Sequence, residues 1–399
     1  MRIAVSHPGK QYVHLLLQGL YQKGYLDHFY TLFAANAIQP YLQFFPKRIK
    51  KDLKKRLFLE IPSALISQRW DLFLMEKLGK IQSEADLIQK IYDPFDQWVA
   101  NKIEIYPPEL CIGYENANLH TFRKAKGLGI TTVLDLAQIH HHAILDIHSK
   151  HGFLNSSYSE DTLAFINSRK EEALAYTDYI LTLSSFARES LLENGISAKK
   201  VFIVNLGVNH QIFYPKKDYD KKKRFRFLFV GTITRRKGLD VLFQAFKELN
   251  LPAVELVLVG PMADGQAFFK QYEGLFTHVP FLHHEELSEQ YRQADVFVFP
   301  SYLDSWAQTV VEAMACGTPA IVSENTGAKD AVIQGGGFVV PTGDVEALKE
   351  KMTFCFENRD EVEKLGKKAA EIAQNYTLEN YHNQVIHALN QIAREKNQS

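Results

Sequence analysis

The sequence predicts an α/β protein with two doubly wound, Rossmann-like domains that face each other across a cleft. Its length, 399 residues, exceeds what one hydrophobic core usually holds. Short apolar runs alternate with longer helical patterns along the whole chain, which is typical of parallel sheets covered by helices. The runs do not alternate apolar and polar residues, so we expect strands that are buried on both faces.

The first six strands are predicted at 3–6, 28–33, 110–114, 132–136, 179–184 and 201–205. Six more are predicted at 226–231, 254–260, 279–282, 295–300, 319–323 and 337–341. The polar stretch 214–226 (YPKKDYDKKKRFR) separates the two sets and is interpreted as the linker. We therefore expect an N-terminal domain at 1–213 and a C-terminal domain at 214–379. A helix at about 380–399 is expected to pack back on the first domain and to end in a frayed REKNQS.

Residues 40–107 lack the strand rhythm, which predicts a mainly helical insertion in the first domain. Within it, the stretch from Lys47 to Arg56 holds seven basic residues and one acidic residue. Ile49, Leu53 and Leu57 are spaced to share one helix face. One interpretation is a basic amphipathic helix on an anionic membrane surface. The other, slightly favoured, is a solvated helix docked by three aliphatic side chains.

Composition excludes several classes of protein. Lys and Arg total 46, as do Asp and Glu, so there is no global basic field for nucleic acid. Three scattered cysteines, Cys111, Cys316 and Cys355, without a CxxC motif argue against a disulfide framework or a cysteine zinc site and fit a reducing cytoplasm. The N-terminus MRIAVSHPGKQ has no apolar run of signal-peptide length, and no stretch approaches a spanning helix. We expect a cytoplasmic location, with peripheral contact at the inner membrane face if the basic stretch binds lipid.

Two common nucleotide motifs are absent from the sequence. It contains no GxxxxGK[ST], and no GxGxxG follows a predicted strand. Nucleoside triphosphate hydrolysis and ordinary NAD binding therefore lose their best support.

The most informative segment is 299–327, FPSYLDSWAQTVVEAMACGTPAIVSENTG. A strand ends there, and a helix follows from about Gln308 to Cys316, with Gly317 as its C-cap. Free backbone N–H groups at the start of this helix would form an anion site; they belong to Ser305, Trp306, Ala307, Gln308 and Thr309. A diphosphate bound there would place Glu312 beside an attached ribose and Asp304 on the far side. Alternatively, Asp304 is a helix cap and Glu312 a residue favoured by the helix dipole.

The second informative segment is 229–246, FVGTITRRKGLDVLFQAF. Arg235, Arg236 and Lys237 lie in the loop after a strand, where fixed cations can neutralise a leaving diphosphate. Alone, such a loop is more often a solvated turn. Together with the first segment it indicates a diphosphate site.

With these motifs, the chain resembles glycosyltransferases of the GT-B fold in the large retaining family 4, glycosyl transferases group 1. The similarity covers nearly all of the C-terminal domain and, more loosely, 179–213. The family has two carboxylates spaced E-x7-E; here the spacing runs from Asp304 to Glu312, with Asp in the first position.

The resemblance implies a role for each matching residue. Glu312 binds the donor ribose, Asp304 contacts the transferred sugar, and Lys237 binds the diphosphate. The family arginine falls on Thr232, so Arg236, or less favourably Arg235, supplies the guanidinium. The remaining implied positions are the base loop, including Leu282 and His283, and Gly9, whose small size lets the donor approach.

A histidine cluster follows the strand 132–136: His140, His141, His142, His148 and His151. It admits a metal site, an acid–base or sugar-binding role, or a solvated loop. Consecutive helical histidines point in different directions, so we expect no metal site here. The resemblance places a sugar-contacting residue near this strand end, either Asp135 or His140. Glu115 and Asn116, after the preceding strand, would orient the acceptor or belong to an ordinary loop.

The function implied by the resemblance is transfer of a sugar from a nucleoside diphosphate sugar to an acceptor hydroxyl, with the C-terminal domain binding the nucleotide sugar and the N-terminal domain on the acceptor side. A UDP-linked donor is slightly favoured over a GDP-linked one. Retention of anomeric configuration follows from the same resemblance. Because Arg236, Lys237 and the helix start can stabilise the leaving charge in place of a metal ion, we expect no required cofactor and no divalent metal. Glycan, polysaccharide or glycolipid synthesis is the expected context, with a glycan or glycolipid acceptor. The alternatives are a GT-B non-transferase, such as a nucleotide-sugar epimerase, and a catalytically silent partner subunit.

Overall fold

The computed structural model describes residues 1–44, 46–79, 81–153, 159–220, 224–263 and 269–396. Within them the chain forms two sheets of parallel strands, each covered by helices. In the described part of the chain, no helix combines the length and apolar character needed to cross a membrane.

The first sheet has seven strands in the order β3-β2-β1-β4-β5-β6-β7. They are β1 Ile3–Ser6, β2 Leu26–Thr31, β3 Ile66–Gln68, β4 Leu110–Tyr114, β5 Thr131–Leu136, β6 Tyr179–Thr182 and β7 Val201–Ile203. Its helices are α1 Val13–Gln22, α2 Lys47–Lys54, α3 Trp70–Leu78, α4 Glu84–Leu87, α5 Asp93–Ile105, α6 Leu119–Gly127, α7 His141–His151, α8 Glu160–Ala175 and α9 Ser185–Glu193. Helix α4 continues through a π turn, Ile88–Tyr92, into α5. Short 3₁₀ segments lie at Asn36–Phe44, Ser63–Leu65 and Ala198–Lys200.

The second sheet has six strands in the order β10-β9-β8-β11-β12-β13. They are β8 Phe225–Val230, β9 Val254–Val259, β10 Thr277–Val279, β11 Val296–Phe299, β12 Ala320–Ser323 and β13 Gly337–Val340. The helices are α10 Leu239–Leu249, α11 His284–Gln293, α12 Gln308–Ala315, α13 Lys329–Ala331, α14 Val345–Glu357 and α15 Arg359–Ala373. A 3₁₀ turn at Arg235–Lys237 precedes α10, and a π turn at Val332–Gly336 precedes β13.

Strands β8 and β11 lie side by side at the centre of the second sheet because their aromatic side chains fill its core. Phe229 on β8 stacks on Phe299 of β11 with ring centroids 5.5 Å apart. Both side chains are buried, and so are those of Phe227 and Phe297, which lie two residues earlier on the same strands. The carboxyl ends of these two strands therefore open at the same edge of the sheet.

The last helix, α16 Leu378–Lys396, packs against α1 of the first domain. The ring Nε2 of His382 lies 2.9 Å from the carbonyl oxygen of Leu15. Farther along α16, the hydroxyl of Tyr25 donates to Asn390 at 2.9 Å. The chain thus returns to its first domain after completing the second.

The twelve predicted strands are all present, with ends that shift by a few residues. The insertion at 40–107 is mainly helical, as predicted, and it also contains a short edge strand, Ile66–Gln68, that pairs with β2. Strand β8 begins at Phe225, inside the predicted linker. The predicted fraying is wrong at 394–396, because α16 continues to Lys396, and its last part, 397–399, lies outside the described residues. The domain boundary at residue 213 stays a prediction.

The predicted linker is docked on the second domain instead of being a free tether. The backbone N–H of Lys216 donates to Cys316 at 3.0 Å, and the hydroxyl of Tyr219 donates to Gly317 at 2.8 Å. These contacts lie just after α12.

Candidate functional site

The loops that follow β8 and β11 are bonded to each other. The backbone N–H of Tyr302 donates to the carbonyl of Arg236, and the Arg236 guanidinium donates to the carbonyl of Leu303, both at 3.0 Å. Gly238, with φ +71°, lies so close to Pro300 that a Cβ would come within 1.9 Å of its carbonyl oxygen. Only glycine fits this approach, so the packing of the two loops requires the glycine of RRKG.

Lys237 and Asp304 meet between these loops as an ion pair. The other Asp304 oxygen, Oδ1, accepts from the backbone N–H of Trp306 at 3.1 Å and of Ala307 at 2.7 Å. Burial acts to raise the pKa of the Asp304 carboxyl, but the Lys237 ammonium and these hydrogen bonds outweigh it and hold the pKa below its usual value. Asp304 is therefore ionised and, in this arrangement, holds the turn that leads into α12.

These hydrogen bonds correct the expectation that five backbone N–H groups at the start of α12 are free. The backbone N–H groups of Trp306 and Ala307 are not free, because both donate to Asp304. Across the described residues, the N–H groups of Ser305, Gln308 and Thr309 have no hydrogen-bond acceptor. The positive end of α12 is thus still open to an anion, through three amides instead of five.

The side chains of Trp306 and Gln308 support the helix start. The indole N–H of Trp306 donates to Gln308 Oε1 at 2.9 Å, and Gln308 Nε2 donates to the carbonyl of Gly207 at 2.9 Å. Trp306 is buried, so only the backbone of this pair faces a ligand. Ala307 adopts a left-handed conformation, φ +63°, a strained geometry that such a site can store.

Glu312 lies one turn into α12 and accepts a hydrogen bond from the hydroxyl of Tyr291 at 3.1 Å. Burial raises the pKa of the Glu312 carboxyl to about 7, while the Tyr291 hydrogen bond acts in the opposite direction. Tyr291 is fully buried on α11 and orients one carboxylate oxygen. No motif in the sequence marked Tyr291, because its role depends on the packing of α11 against α12.

The three basic residues after β8 point in different directions. Arg235 is half exposed and pairs with Asp240 at 3.1 Å, away from Asp304. Arg236 lines the cavity between the domains, and Lys237 is buried at Asp304. Thr232, at the position of the family arginine, is exposed. The geometry thus favours Arg236 over Arg235 as the guanidinium of the site.

The predicted base loop is only partly free. The backbone N–H of His283 donates to Glu286 at 3.0 Å, and its carbonyl accepts from Leu287 at 2.8 Å, since His283 caps α11. The expectation that His283 offers backbone groups to a ligand is therefore wrong in this arrangement. Leu282 is partly buried and Phe281 is exposed beside it.

Gly9 lies in the loop after β1, and its N–H donates to Nδ1 of the buried His7 at 3.0 Å. A Cβ at Gly9 would meet only the His7 ring, at 3.7 Å, so the fold itself has room for a side chain there. His7 was not marked by the sequence; its Nε2 is buried without a partner, and burial lowers the pKa of the imidazole to about 3.

Asp135 and His140, the two candidates for sugar contact, occupy different surroundings. Asp135 accepts from the hydroxyl of Tyr12 at 3.1 Å, and burial raises the pKa of its carboxyl to about 7. His140 precedes α7, its N–H donates to Ser190 at 2.9 Å, and burial lowers the pKa of its imidazole to about 4. Both side chains are buried in this arrangement.

A cavity of about 290 Å³ lies between the domains. Its polar lining includes Glu115, Asn116, Gln138, Lys170 and Arg236. Glu115 and Lys170 form a largely buried ion pair at 3.1 Å, so this wall carries fixed charges of both signs. The cavity joins the predicted acceptor residues of the first domain to Arg236 of the second.

Polar contacts hold the domains together beside this cavity. The hydroxyl of Ser184 donates to the carbonyl of Ser305 at 2.6 Å, and the N–H of Ser185 donates to Asp330 at 2.9 Å. Gly327 makes the approach possible, because a Cβ there would lie 2.0 Å from the Ser305 carbonyl oxygen. None of these contacts was predicted, since each joins residues far apart in the chain.

Comparison with known proteins identifies the second domain. Residues 211–372 match the family described as Glycosyl transferases group 1. An uncharacterised glycosyltransferase of Methanocaldococcus jannaschii is 28% identical over 236 residues, which are 56% of this chain and 63% of the relative. The capsular polysaccharide biosynthesis glycosyltransferase CapM of Staphylococcus aureus is 25% identical over 217 residues, 50% of this chain and 57% of the relative. The matches thus span less than two thirds of these relatives.

Solved structures extend the similarity in fold to almost the whole chain. The sucrose-phosphate synthase of Thermosynechococcus elongatus superposes with a TM-score of 0.69 at 20% identity, covering 99% of this chain and 100% of that structure. The Anabaena protein HepE in complex with UDP superposes with a TM-score of 0.67 at 16% identity, covering 98% and 100%. The fold is GT-B, and residues 211–372 match the family described as Glycosyl transferases group 1.

The Lys237–Asp304 pair yields a prediction about stability. Lys237→Met leaves a buried carboxylate without its cation, and Asp304→Asn leaves a buried ammonium; each is expected to lower the free energy of unfolding by about 3 kcal/mol. The double variant removes both charges and is expected to lose less than the sum of the two. Urea unfolding of the four proteins measures this coupling.

Additive losses in that cycle would contradict the pairing. Lys364→Met with Glu361→Gln is the matched control, since that pair is exposed on one helix, α15. Its coupling is expected to stay below about 1 kcal/mol.

Proposed function

We propose that this group 1 glycosyltransferase of the GT-B fold transfers a sugar from a nucleoside diphosphate sugar to an acceptor hydroxyl. The observation that carries the proposal is the meeting of Lys237, Asp304 and the open start of α12 at the carboxyl ends of β8 and β11. Ligands of parallel α/β sheets bind at these strand ends. Glu312, one turn into α12, adds an acceptor for vicinal hydroxyls.

The diphosphate fits at the free amides of Ser305, Gln308 and Thr309. The dipole of α12 favours negative charge there, and Lys237 lies at the adjacent loop. Glu312 then accepts hydrogen bonds from the ribose, held in place by Tyr291. Asp304 faces the transferred sugar, and its bonds to Trp306 and Ala307 fix the carboxylate in one orientation.

During transfer, positive charge grows on the sugar ring and negative charge grows on the leaving diphosphate. Arg236, Lys237 and the start of α12 stabilise the leaving charge, so we propose that transfer requires no divalent ion. The anomeric configuration is retained if the acceptor hydroxyl attacks the sugar from the face that the phosphate leaves. The leaving phosphate then accepts the proton of that hydroxyl. Asp135 or His140 contacts the sugar from the first domain when the donor is bound.

The acceptor is proposed to bind in the cavity between the domains. Glu115, Asn116 and Lys170 lie on its first-domain wall, and Arg236 lies on the donor side. An acceptor hydroxyl held there would approach a sugar attached at α12. Closure about the linker excludes water from this cavity.

A UDP-linked donor is proposed over a GDP-linked one. Structures of the Anabaena protein HepE with UDP and with UDP-glucose share this fold, with TM-scores of 0.67 and 0.66. Gly9 supports donor binding from the first domain. The fold has room for a side chain at this position, and the glycine leaves that space to the donor.

The decisive measurement is a thermal-shift titration with UDP, GDP, ADP and dTDP, in EDTA and in magnesium. UDP is expected to raise the melting temperature equally in both buffers, since ligand at about 100 times its Kd adds about 2.7 kcal/mol of stability. Glu312→Ala is expected to lose the shift. Glu350→Ala, at an exposed carboxylate of α14, is the control and keeps it.

A shift with none of the four nucleotides would refute the donor site. A shift with GDP alone would keep the site and overturn the choice of UDP. A shift that needs magnesium would overturn the metal-independent mechanism.

The pKa of Glu312 predicts how UDP binding depends on pH. Before a ligand binds, the Glu312 carboxyl has a pKa of about 7, but it must be an ionised carboxylate to accept hydrogen bonds from the ribose hydroxyls. Binding therefore tightens as the pH rises through that value, and the UDP Kd is expected to fall about fourfold between pH 6.5 and 8.5. Calorimetric titration over this range measures the change.

Two variants separate Glu312 from other titrating groups. Glu312→Gln cannot ionise, so its weaker binding should be flat over the same range. Tyr291→Phe removes the hydrogen bond that holds the pKa of Glu312 down, so the midpoint should move to higher pH. An unchanged midpoint in Tyr291→Phe would argue against this assignment.

A glycolipid or anionic glycan acceptor at a membrane surface is proposed from the insertion. Leu53 and Leu57 of the basic stretch pack with Ala35 and Leu42, so α2 docks on the fold and presents exposed lysines. Helix α3 lies close by: the guanidinium of Arg56, just after α2, is 5.1 Å from the ring centroid of Phe73 on α3. The same helix exposes a set of large apolar side chains: Trp70, Leu74, Met75 and Leu78.

Lysines next to exposed apolar side chains match the requirements of an anionic bilayer surface. The wild-type protein is expected to bind phosphatidylglycerol vesicles at low salt in a sedimentation assay. Reversing Lys51, Lys54 and Lys55 to Glu should weaken binding about a hundredfold, at about 1 kcal/mol for each lysine. Reversing Lys364, Lys367 and Lys368 on α15 makes the same change in net charge and should leave binding nearly intact. Absence of vesicle binding by the wild type would sink this proposal.

A further inference from the structure

Three consecutive imidazoles converge at the start of α7. The ring centroids of His140 and His141 lie 4.3 Å apart, and those of His141 and His142 lie 4.4 Å apart. One ring nitrogen from each of the three lies within 4.8 Å of the others. The set is therefore compact enough to surround one ion.

This convergence corrects the expectation that consecutive histidines on a helix diverge. His140 is not helical: it precedes α7 with φ −55° and ψ 138°. Only His141 and His142 follow helical geometry, and the extended residue before them turns its ring back over theirs. Spacing in the sequence alone does not show this, because it depends on where the helix begins.

A carboxylate of the neighbouring helix completes the group. Oε1 of Glu171 on α8 lies 3.3 Å from Nε2 of His141 and 3.6 Å from Nε2 of His142. Zinc bonds to nitrogen and oxygen are about 2.0–2.1 Å long, which separates tetrahedral ligands by about 3.3–3.4 Å. The two Glu171 separations are close to this value, and the imidazole nitrogens, within 4.8 Å of one another, would have to draw together to reach it.

Burial supplies an independent sign of a missing partner. His141 is only 3% exposed, and its Nε2 makes no hydrogen bond despite its position near Glu171. A buried polar atom without a partner carries a desolvation cost that a bound ion removes. His142 is half exposed, which leaves an entry path from solvent.

We propose that His140, His141, His142 and Glu171 form a transition-metal site, with Zn²⁺ as the ion it fits best. Three imidazoles and one carboxylate suit tetrahedral Zn²⁺, whereas Mg²⁺ and Ca²⁺ take oxygen ligands. The ligands all belong to the first domain, so the site is separate from the diphosphate site of α12. An ion bound to His140 leaves the proposed sugar contact to Asp135. Because His141 and Lys170 line the cavity between the domains, the ion ties α7 to α8 at the acceptor wall.

The test uses the full chain, stripped with EDTA and returned to chelator-free buffer. Titration with Zn²⁺ alone, in competition with a chromophoric chelator, is expected to show one ion per chain. His142→Ala and Glu171→Gln should each weaken binding at least tenfold. Glu172→Gln is the matched control: it changes the next carboxylate of α8, which pairs with Arg123, and should bind as the wild type does.

Substitution with Co²⁺ reads the geometry directly. The wild type and Glu172→Gln are expected to give the intense visible bands of tetrahedral Co²⁺, and His142→Ala should lose them. Melting of the metal-free variants verifies that each is folded, and Zn²⁺ should raise the melting temperature of the wild type but not of Glu171→Gln. Failure of the wild type to bind Zn²⁺, or equal affinity in all four proteins, would overturn the site.

Discussion

The pairing of Lys237 with Asp304 is the interaction on which the donor side depends. The two residues come from loops that follow neighbouring strands, and each would be unfavourable in this buried position without the other. The ammonium lies 5.2 Å from the ring of Phe299, the same ring that stacks on Phe229 in the core. The hydrophobic packing of β8 on β11 thus sets the distance at which the charges meet.

That geometry also explains why Asp304 serves two purposes. One oxygen bonds to Lys237, and the other holds the N–H groups at the start of α12. The backbone hydrogen bonds fix the carboxylate, and the lysine keeps it ionised. Aspartate in place of the expected glutamate fits this arrangement, because the shorter side chain reaches the N–H groups two and three residues ahead, as in an Asx turn.

The sequence predicted the sheets well because buried parallel strands leave continuous apolar runs. It missed β3, since Ile66–Gln68 is three half-buried residues at a sheet edge and leaves no such run. Lys237, Asp304 and Glu312 could be singled out as candidates because each lies within a local motif at a strand or helix end, and their roles stay predictions. Tyr291, Glu171 and Ser184 were not, since each acts on a residue from a distant segment and no local pattern records that contact. The convergence of the three histidine rings was not predicted for a third reason: their geometry depends on whether α7 begins at residue 140 or 141.

Ser305 shows how donor binding and the arrangement of the domains are joined. Its carbonyl accepts from Ser184, at the start of α9 in the first domain, and its hydroxyl lies 3.4 Å from Gln138 beside the acceptor cavity. Its N–H remains free among the amides proposed for the diphosphate. A diphosphate bound to that N–H would share one peptide segment with the contact that holds the domains together. Gly327 packs directly against the Ser305 carbonyl and the Ser184 hydroxyl. Because the packing there is tight, movement of this segment also displaces the start of α9. Gln308, another of these amides, is also bonded to the first domain, at the carbonyl of Gly207, so the proposed diphosphate site is linked to the first domain at two residues.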